Sequence, residues 1–283
     1  MRIGHWQLDP LHGGAFSIDG GAAFGVVPKT VWQTIHPSDE LNRVRMTCNC
    51  LLARDGEHVV LIDTGYGGKN PPMDRKAYGM EGGNPILESL ARFDIRPEDV
   101  GFVLFTHLHF DHAGGATIRN ENRELVPTFP EARYMAYSKE WEDAVSKTPE
   151  LLAAYPQYNL EPLALAGKVD LFDRDAELLP GLRALRTGGH TRGHTAFLIE
   201  SKDGSEGALF IGDICPTRAH MKTLWNMSYD TFLLETRRKK RKLLEMAAQR
   251  QWWVFLPHDP FVYACRIETH PGKEFMTTDL QER

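Results

Sequence analysis

Short apolar runs, separated by turn residues, recur along the whole chain and are interrupted by a few stretches of helical period. Residues 45–54 and 58–62 read as two strands joined by the turn Asp55-Gly56. Residues 66–83, rich in Gly, Pro and Met, read as a long loop. Asn84 and Pro85 then look like an N-cap and a first helical position, opening a helix over 86–93 with Ile86, Leu87, Leu90 and Phe93 on one side. An apolar strand over 101–105 runs into a polar, His-rich loop over 106–115, and 132–137 forms another strand. Residues 138–167 read as mostly helical, interrupted by Pro149 and Pro156. The second half predicts strands over 182–186, 195–201 and 207–211, one long helix over 229–250, a buried strand over 252–256 and a last strand over 262–268.

Strands outnumber helices, and helices separate groups of strands, which predicts sheets packed together with helices outside. Composition shifts nowhere and no repeat is visible. The expectation is one domain over 1–283, with an N-terminal extension of about 1–45 and an inserted helical cap of about 138–168.

Composition narrows the class. Hydrophobic residues are 42% and charged residues 25%, which excludes a disordered or collagen-like chain. The net charge of −5 disfavours a general nucleic-acid binder. The basic run over 237–242 is expected to be the solvated face of the long helix. No apolar run reaches the roughly 18 residues of a membrane span, and the first ten residues hold no signal-peptide core. Four sparse cysteines (Cys48, Cys50, Cys215 and Cys265) read as reduced, buried thiols. These features predict a cytoplasmic protein with no membrane or nucleic-acid partner.

The strongest chemical signal is Thr106-His107-Leu108-His109-Phe110-Asp111-His112. An H-x-H-x-D-H pattern should arise by chance on the order of once in a thousand such chains. Imidazoles and carboxylates suit zinc and other borderline divalent metals. Four such groups in one loop suit two metals better than one closed site, because catalysis needs an open position. Further donors are expected at other strand ends: His190, Asp213 and His258 each lie just past an apolar run. From spacing alone, either His190 or His194 fits the stretch over 187–194.

The order H-x-H-x-D-H, His, Asp, His resembles the metallo-β-lactamase-fold hydrolase superfamily, from Leu61-Ile62-Asp63-Thr64-Gly65 to His258. The stretch over 24–29 and the long N-terminal segment are most similar to its quorum-quenching N-acyl homoserine lactonase branch. The resemblance implies an α/β fold, the αββα four-layer sandwich of two mixed β-sheets with helices outside. It implies one metal on His107, His109 and His190, a second on Asp111, His112 and His258, and Asp213 bridging them. Asp63 resembles the family's carboxylate that orients a ligand, and the family pattern favours His190 over His194. The expected cofactors are two divalent ions, zinc first, with manganese, iron or cobalt as alternatives. A homodimer is implied by the branch.

The implied reaction is lactone opening by a metal-bridging hydroxide, with Asp111 also carrying a proton to the leaving oxygen. Many lactonases of this superfamily place a Tyr shortly after the bridging Asp, whereas no Tyr occurs here between Asp213 and Tyr229. Thr217, Arg218 and His220 are the substrate-contact candidates in its place. The same donors would serve a thioester, aryl-ester, phosphoester or phosphotriester hydrolase. A metal-dependent binding or sensor protein is the reading from another class.

Overall fold

A computed structural model describes residues 1–282. They divide into two compact units. The first comprises Met1–Ala15 and Cys48–Arg174, and the second comprises Phe16–Thr47 and the described residues from Asp175 onward.

The first unit is organised on a seven-stranded mixed sheet. Its parallel part is Val59–Ile62, Phe102–Leu104, Arg133–Tyr137 and Val169–Phe172, with Leu61 opposite Val103 and Val103 opposite Tyr134. The near-continuous apolar character of Val59–Ile62 and Phe102–Leu104 fits parallel strands covered on both faces. Arg43–Arg54 pairs antiparallel with Val59–Ile62 across the expected turn. In that turn the Asp55 carboxylate accepts the backbone N–H groups of Glu57 and His58 at 2.9 and 2.7 Å. The helix Pro85–Ala91 seats Ile86 and Leu90 in a core with Val100, Val103, Phe105 and Leu108. Pro85 opens it as expected, but the Asn84 side chain makes no capping bond. Instead Glu88 accepts the Asn84 N–H at 3.2 Å.

Residues 66–83 are not a plain loop. They contain the helix Pro72–Tyr78, started by Pro72 and stopped by Gly79 in the left-handed conformation. None of its residues is buried, so no apolar stripe betrayed it. The insert holds two helices, Ser138–Val145 and Gln157–Leu165.

The second unit carries its own seven-stranded sheet, antiparallel except where Gly207–Phe210 runs parallel to Trp253–Phe255. The helix Leu233–Arg250 connects that pair, burying Leu243, Leu244, Ala247 and Ala248 over Leu209, Val254 and Cys265. It starts later than the periodicity predicts. Thr231 and Phe232, just before it, donate their N–H groups to the carbonyls of His190 and Gly189, at 3.0 and 2.8 Å. The sheet also has two strands more than expected, Ala176–Leu179 beside Leu182–Arg186 at one edge and another at the opposite edge. Val262–His270 turns back into Glu274–Glu282, whose largely exposed side chains carry little hydrophobic signal.

The basic run is a correction too. Lys240 is fully buried, not solvated, and donates its ammonium to the Trp225 carbonyl at 2.6 Å. All four cysteines are buried and none is in a disulfide, as expected. Among the described residues, no helix is long and apolar enough to cross a membrane.

Candidate metal centre

In the first unit, the strand Phe102–Leu104 delivers the chain into Thr106–His112, and Asp63 holds that loop. Asp63 adopts φ 58°, a conformation that few residues other than glycine take outside constrained sites. Its Oδ1 accepts the Thr106 N–H at 2.8 Å, and its Oδ2 accepts the Thr106 hydroxyl and His112 Nδ1–H, each at 2.8 Å. Thr64 adds its N–H and hydroxyl to the His112 carbonyl, at 2.7 and 2.8 Å. Gly115 permits this approach, because a Cβ there would lie 2.2 Å from the Thr64 carbonyl oxygen.

The proton positions follow from these bonds. The Thr106 hydroxyl gives its proton to Asp63, so at 3.1 Å its oxygen accepts from His107 Nδ1–H. His107 and His112 therefore carry their protons on Nδ1 and their lone pairs on Nε2. Their ring centroids are 4.0 Å apart, and both rings are buried. His107 Nε2 and His109 Nδ1 approach to 3.1 Å.

The second unit holds a set of its own. Gly188 and Gly189 both adopt positive φ ahead of His190, and a Cβ on Gly189 would strike the backbone of Thr236 at 2.6–2.7 Å. That close packing sets His190 beside Asp230, whose Oδ1 accepts Nδ1–H at 2.9 Å. The His190 lone pair then sits on Nε2, 3.5 Å from Asp213 Oδ2. On the other side, Asp213 Oδ1 lies 3.1 Å from His258 Nε2. His258 donates Nδ1–H to the Thr47 carbonyl at 3.0 Å. Asp213 thus presents one oxygen to each of two imidazoles.

His194 is differently employed. It donates Nδ1–H to the Thr187 hydroxyl at 2.5 Å, and its Nε2 accepts the Asp213 backbone N–H at 2.9 Å. Both ring nitrogens are engaged, so of the two histidines only His190 turns a nitrogen toward a carboxylate oxygen of Asp213.

These residues fit a divalent metal. Two donors on one tetrahedral zinc, each about 2.05 Å from it, sit about 3.3 Å apart. The three donor pairs within the units, at 3.1, 3.1 and 3.5 Å, bracket that spacing. The far nitrogens of His107, His112, His190 and His258 are each fixed by a hydroxyl, carboxylate or carbonyl, as metal-binding imidazoles require. A family model described as the metallo-β-lactamase superfamily matches residues 43–258, a stretch that runs through both units. The chain belongs to that superfamily.

Relatives within the metallo-β-lactamase superfamily sharpen the comparison. An N-acyl homoserine lactonase from a Bacillus species is 29% identical over 170 residues, covering 54% of this chain and 58% of that protein. One from Bacillus cereus is 27% identical over 184 residues, covering 61% and 65%. The chain thus spans about three-fifths of the curated relatives it matches. A probable metal-dependent hydrolase from Staphylococcus aureus has a solved structure that superposes with a TM-score of 0.91 at 31% identity, over 100% of this chain and 99% of that one. The chain has the metallo-β-lactamase fold.

Against this metallo-β-lactamase frame, two of the three expected substrate contacts are corrected. Thr217 and His220 are fully buried. His220 stacks on Phe24 at 4.9 Å and donates Nε2–H to the Ala23 carbonyl at 2.8 Å, and its Nδ1 accepts the Thr217 hydroxyl at 2.8 Å. Burial keeps this imidazole neutral, with its pKa pushed down to about 3. The pair ties the segment after Asp213 to residues 23 and 24 and does not face a ligand. Arg218 is partly exposed, and its Nε donates to Asp259 at 3.1 Å.

Sequence reasoning missed Asp230 and the Thr47 carbonyl. Asp230 follows no motif, and a backbone carbonyl leaves no trace in residue type. Tyr155 is buried and donates its hydroxyl to Glu140 at 3.1 Å.

Proposed function

We propose that this protein is a metal-dependent hydrolase that opens the lactone ring of an N-acyl homoserine lactone. In this reading His107, His109 and His190 hold one divalent ion, and Asp111, His112 and His258 hold another. Asp213 serves both. The observation that carries the reading is Asp213 itself, buried, with its two oxygens 3.1 and 3.5 Å from two imidazoles. The lactonase relatives and the donor chemistry support the substrate class. Zinc is the first candidate, with manganese, iron or cobalt as alternatives. When bound, the two ions would supply an acidified shared water near neutral pH and polarise the substrate carbonyl.

The protein's own groups do the rest. Asp63, Asp230 and the Thr47 carbonyl keep His112, His190 and His258 in one tautomer. His194 holds the Asp213 backbone. Water adds to the carbonyl carbon, the ring C–O bond breaks, and one proton must reach the leaving alkoxide. Asp111 carries that proton on a carboxylate oxygen. The product is a hydroxy acid that ionises at neutral pH and releases the second proton.

Acid release with a pH indicator tests the reading directly. Short- and long-chain acyl homoserine lactones are offered to metal-loaded and chelator-stripped protein. Chelator-sensitive turnover is expected, and its absence with fully loaded protein refutes the lactone assignment. The lack of a Tyr between Asp213 and Tyr229 favours a second reading, hydrolysis of an aryl ester, thioester or phosphotriester at the same donors. Those substrates complete the assay. The reading further includes a homodimer and a cytoplasmic location, the latter in keeping with four buried cysteines outside any disulfide.

A further inference from the structure

The donor loop of the first unit has a support that the donors themselves do not require. Glu140, on the helix Ser138–Val145, is 1% exposed, and carboxylates are almost never that buried unless engaged. Its Oε1 accepts the backbone N–H of Leu108 at 2.9 Å. Leu108 is the residue between His107 and His109. The same oxygen accepts the Tyr155 hydroxyl at 3.1 Å. The Tyr155 ring in turn packs against the His109 ring, with centroids 5.2 Å apart.

The Leu108 N–H belongs to the peptide between the Cα atoms of His107 and Leu108, so its tilt helps decide where His107 Nε2 and His109 Nδ1 meet. A binding constellation tolerates only about 0.5 Å and 10–20° of error. A buried charge-assisted hydrogen bond is the kind of restraint that holds such a tilt. Glu140 and Tyr155 both lie in the 138–168 insert, the stretch that the sequence suggests is a cover.

We infer that Glu140, braced by Tyr155, is a positioning residue that sets the metal affinity of the His107–His109 pair. The insert is then a working part of the metal centre. This rests on the metal-site reading above, though not on the identity of the substrate.

The test compares wild type with Glu140→Ala, Glu140→Gln and Tyr155→Phe. Zinc affinity is measured by competition with a chromophoric chelator at fixed pH, and the Tm of each metal-free protein is measured in parallel. Glu140→Ala should lose about 10–100-fold in affinity at one of two sites. Glu140→Gln keeps an oxygen able to accept both protons and should stay within about threefold of wild type, while Tyr155→Phe should fall between the two. A Glu140→Ala protein with a lowered metal-free Tm but unchanged zinc affinity would be merely destabilised, and that result overturns the inference. If Glu140→Ala does not fold, Tyr155→Phe decides, and wild-type affinity there overturns the inference. Wild-type protein that binds no zinc sinks the metal-site reading as well. Two zincs bound equally by wild type and variants sink this inference alone.

Discussion

Lys240 gives a stability prediction whose magnitude can be worked from its surroundings. Its side chain is fully buried, and its ammonium has the Trp225 carbonyl as hydrogen-bond acceptor at 2.6 Å. Burial pushes its pKa down from 10.5 to about 8, against the partial support of Cys215, Asp230 and Glu274. Below pH 8 both the folded and unfolded chains hold the proton, and the folded chain bears the full desolvation penalty of the charge. Between about pH 8 and 10.5 the unfolded chain binds more protons than the folded one, so stability rises with pH across that window. Above it both states are neutral and the slope vanishes. The lowering corresponds to about 3 kcal/mol, most of which is recovered between pH 7 and pH 10.

Lys240→Met keeps the length and removes the titration. At pH 7 the variant escapes the desolvation penalty but leaves the Trp225 carbonyl without its donor, a loss of about 1–3 kcal/mol. The two effects nearly cancel, so stability at a single pH is uninformative. The informative quantity is the difference between wild type and variant, measured by urea unfolding of chelator-treated protein at pH 7 and pH 10. Other groups titrate in both proteins and drop out of that difference. Wild type should gain about 2–3 kcal/mol on the variant between the two pH values. A difference that moves by less than about 0.5 kcal/mol would refute the argument that this ammonium is charged and buried at neutral pH.

Three further outcomes follow from the donor geometry. Asp213→Ala should abolish binding of at least one of two zincs by elemental analysis, and a variant that keeps both, with full activity, would remove Asp213 from the bridging place proposed for it. Asp230→Ala leaves His190 Nδ1–H without its acceptor and should weaken zinc binding about 10–100-fold in chelator competition; unchanged affinity would make the pair incidental. His194→Phe strands the buried Asp213 N–H and the Thr187 hydroxyl, and a drop of about 1–3 kcal/mol in urea unfolding of the metal-free protein is expected. Wild-type stability in that variant would count against the assigned tautomer.

The sequence exposed some of these groups and hid others for a physical reason. The buried strands Phe102–Leu104 and Trp253–Phe255 announce themselves as apolar runs, because parallel pairing covers both of their faces. The strand Glu274–Glu282 and the helix Pro72–Tyr78 bury little, so hydrophobic pattern could not find them. Lys240 went the other way. Five charged neighbours in the run from Arg237 to Lys242 mark a wet face, and only the placement of the Trp225 carbonyl reveals the one that turns inward.

The same asymmetry governs the metal centre. A divalent cation accepts few ligand types, so His107, His109, Asp111, His112, His190, Asp213 and His258 stand out by residue identity alone. The groups that orient them need only accept or donate one hydrogen bond at the right place. Nature has filled those places with a carboxylate for His190, a backbone carbonyl for His258 and an imidazole for the Asp213 N–H. Many residue types meet that requirement, and a carbonyl meets it from any residue at all. Function of this kind is therefore legible in the atoms proposed to touch a metal. It becomes illegible one bond further out, where geometry and not chemistry selects the residue.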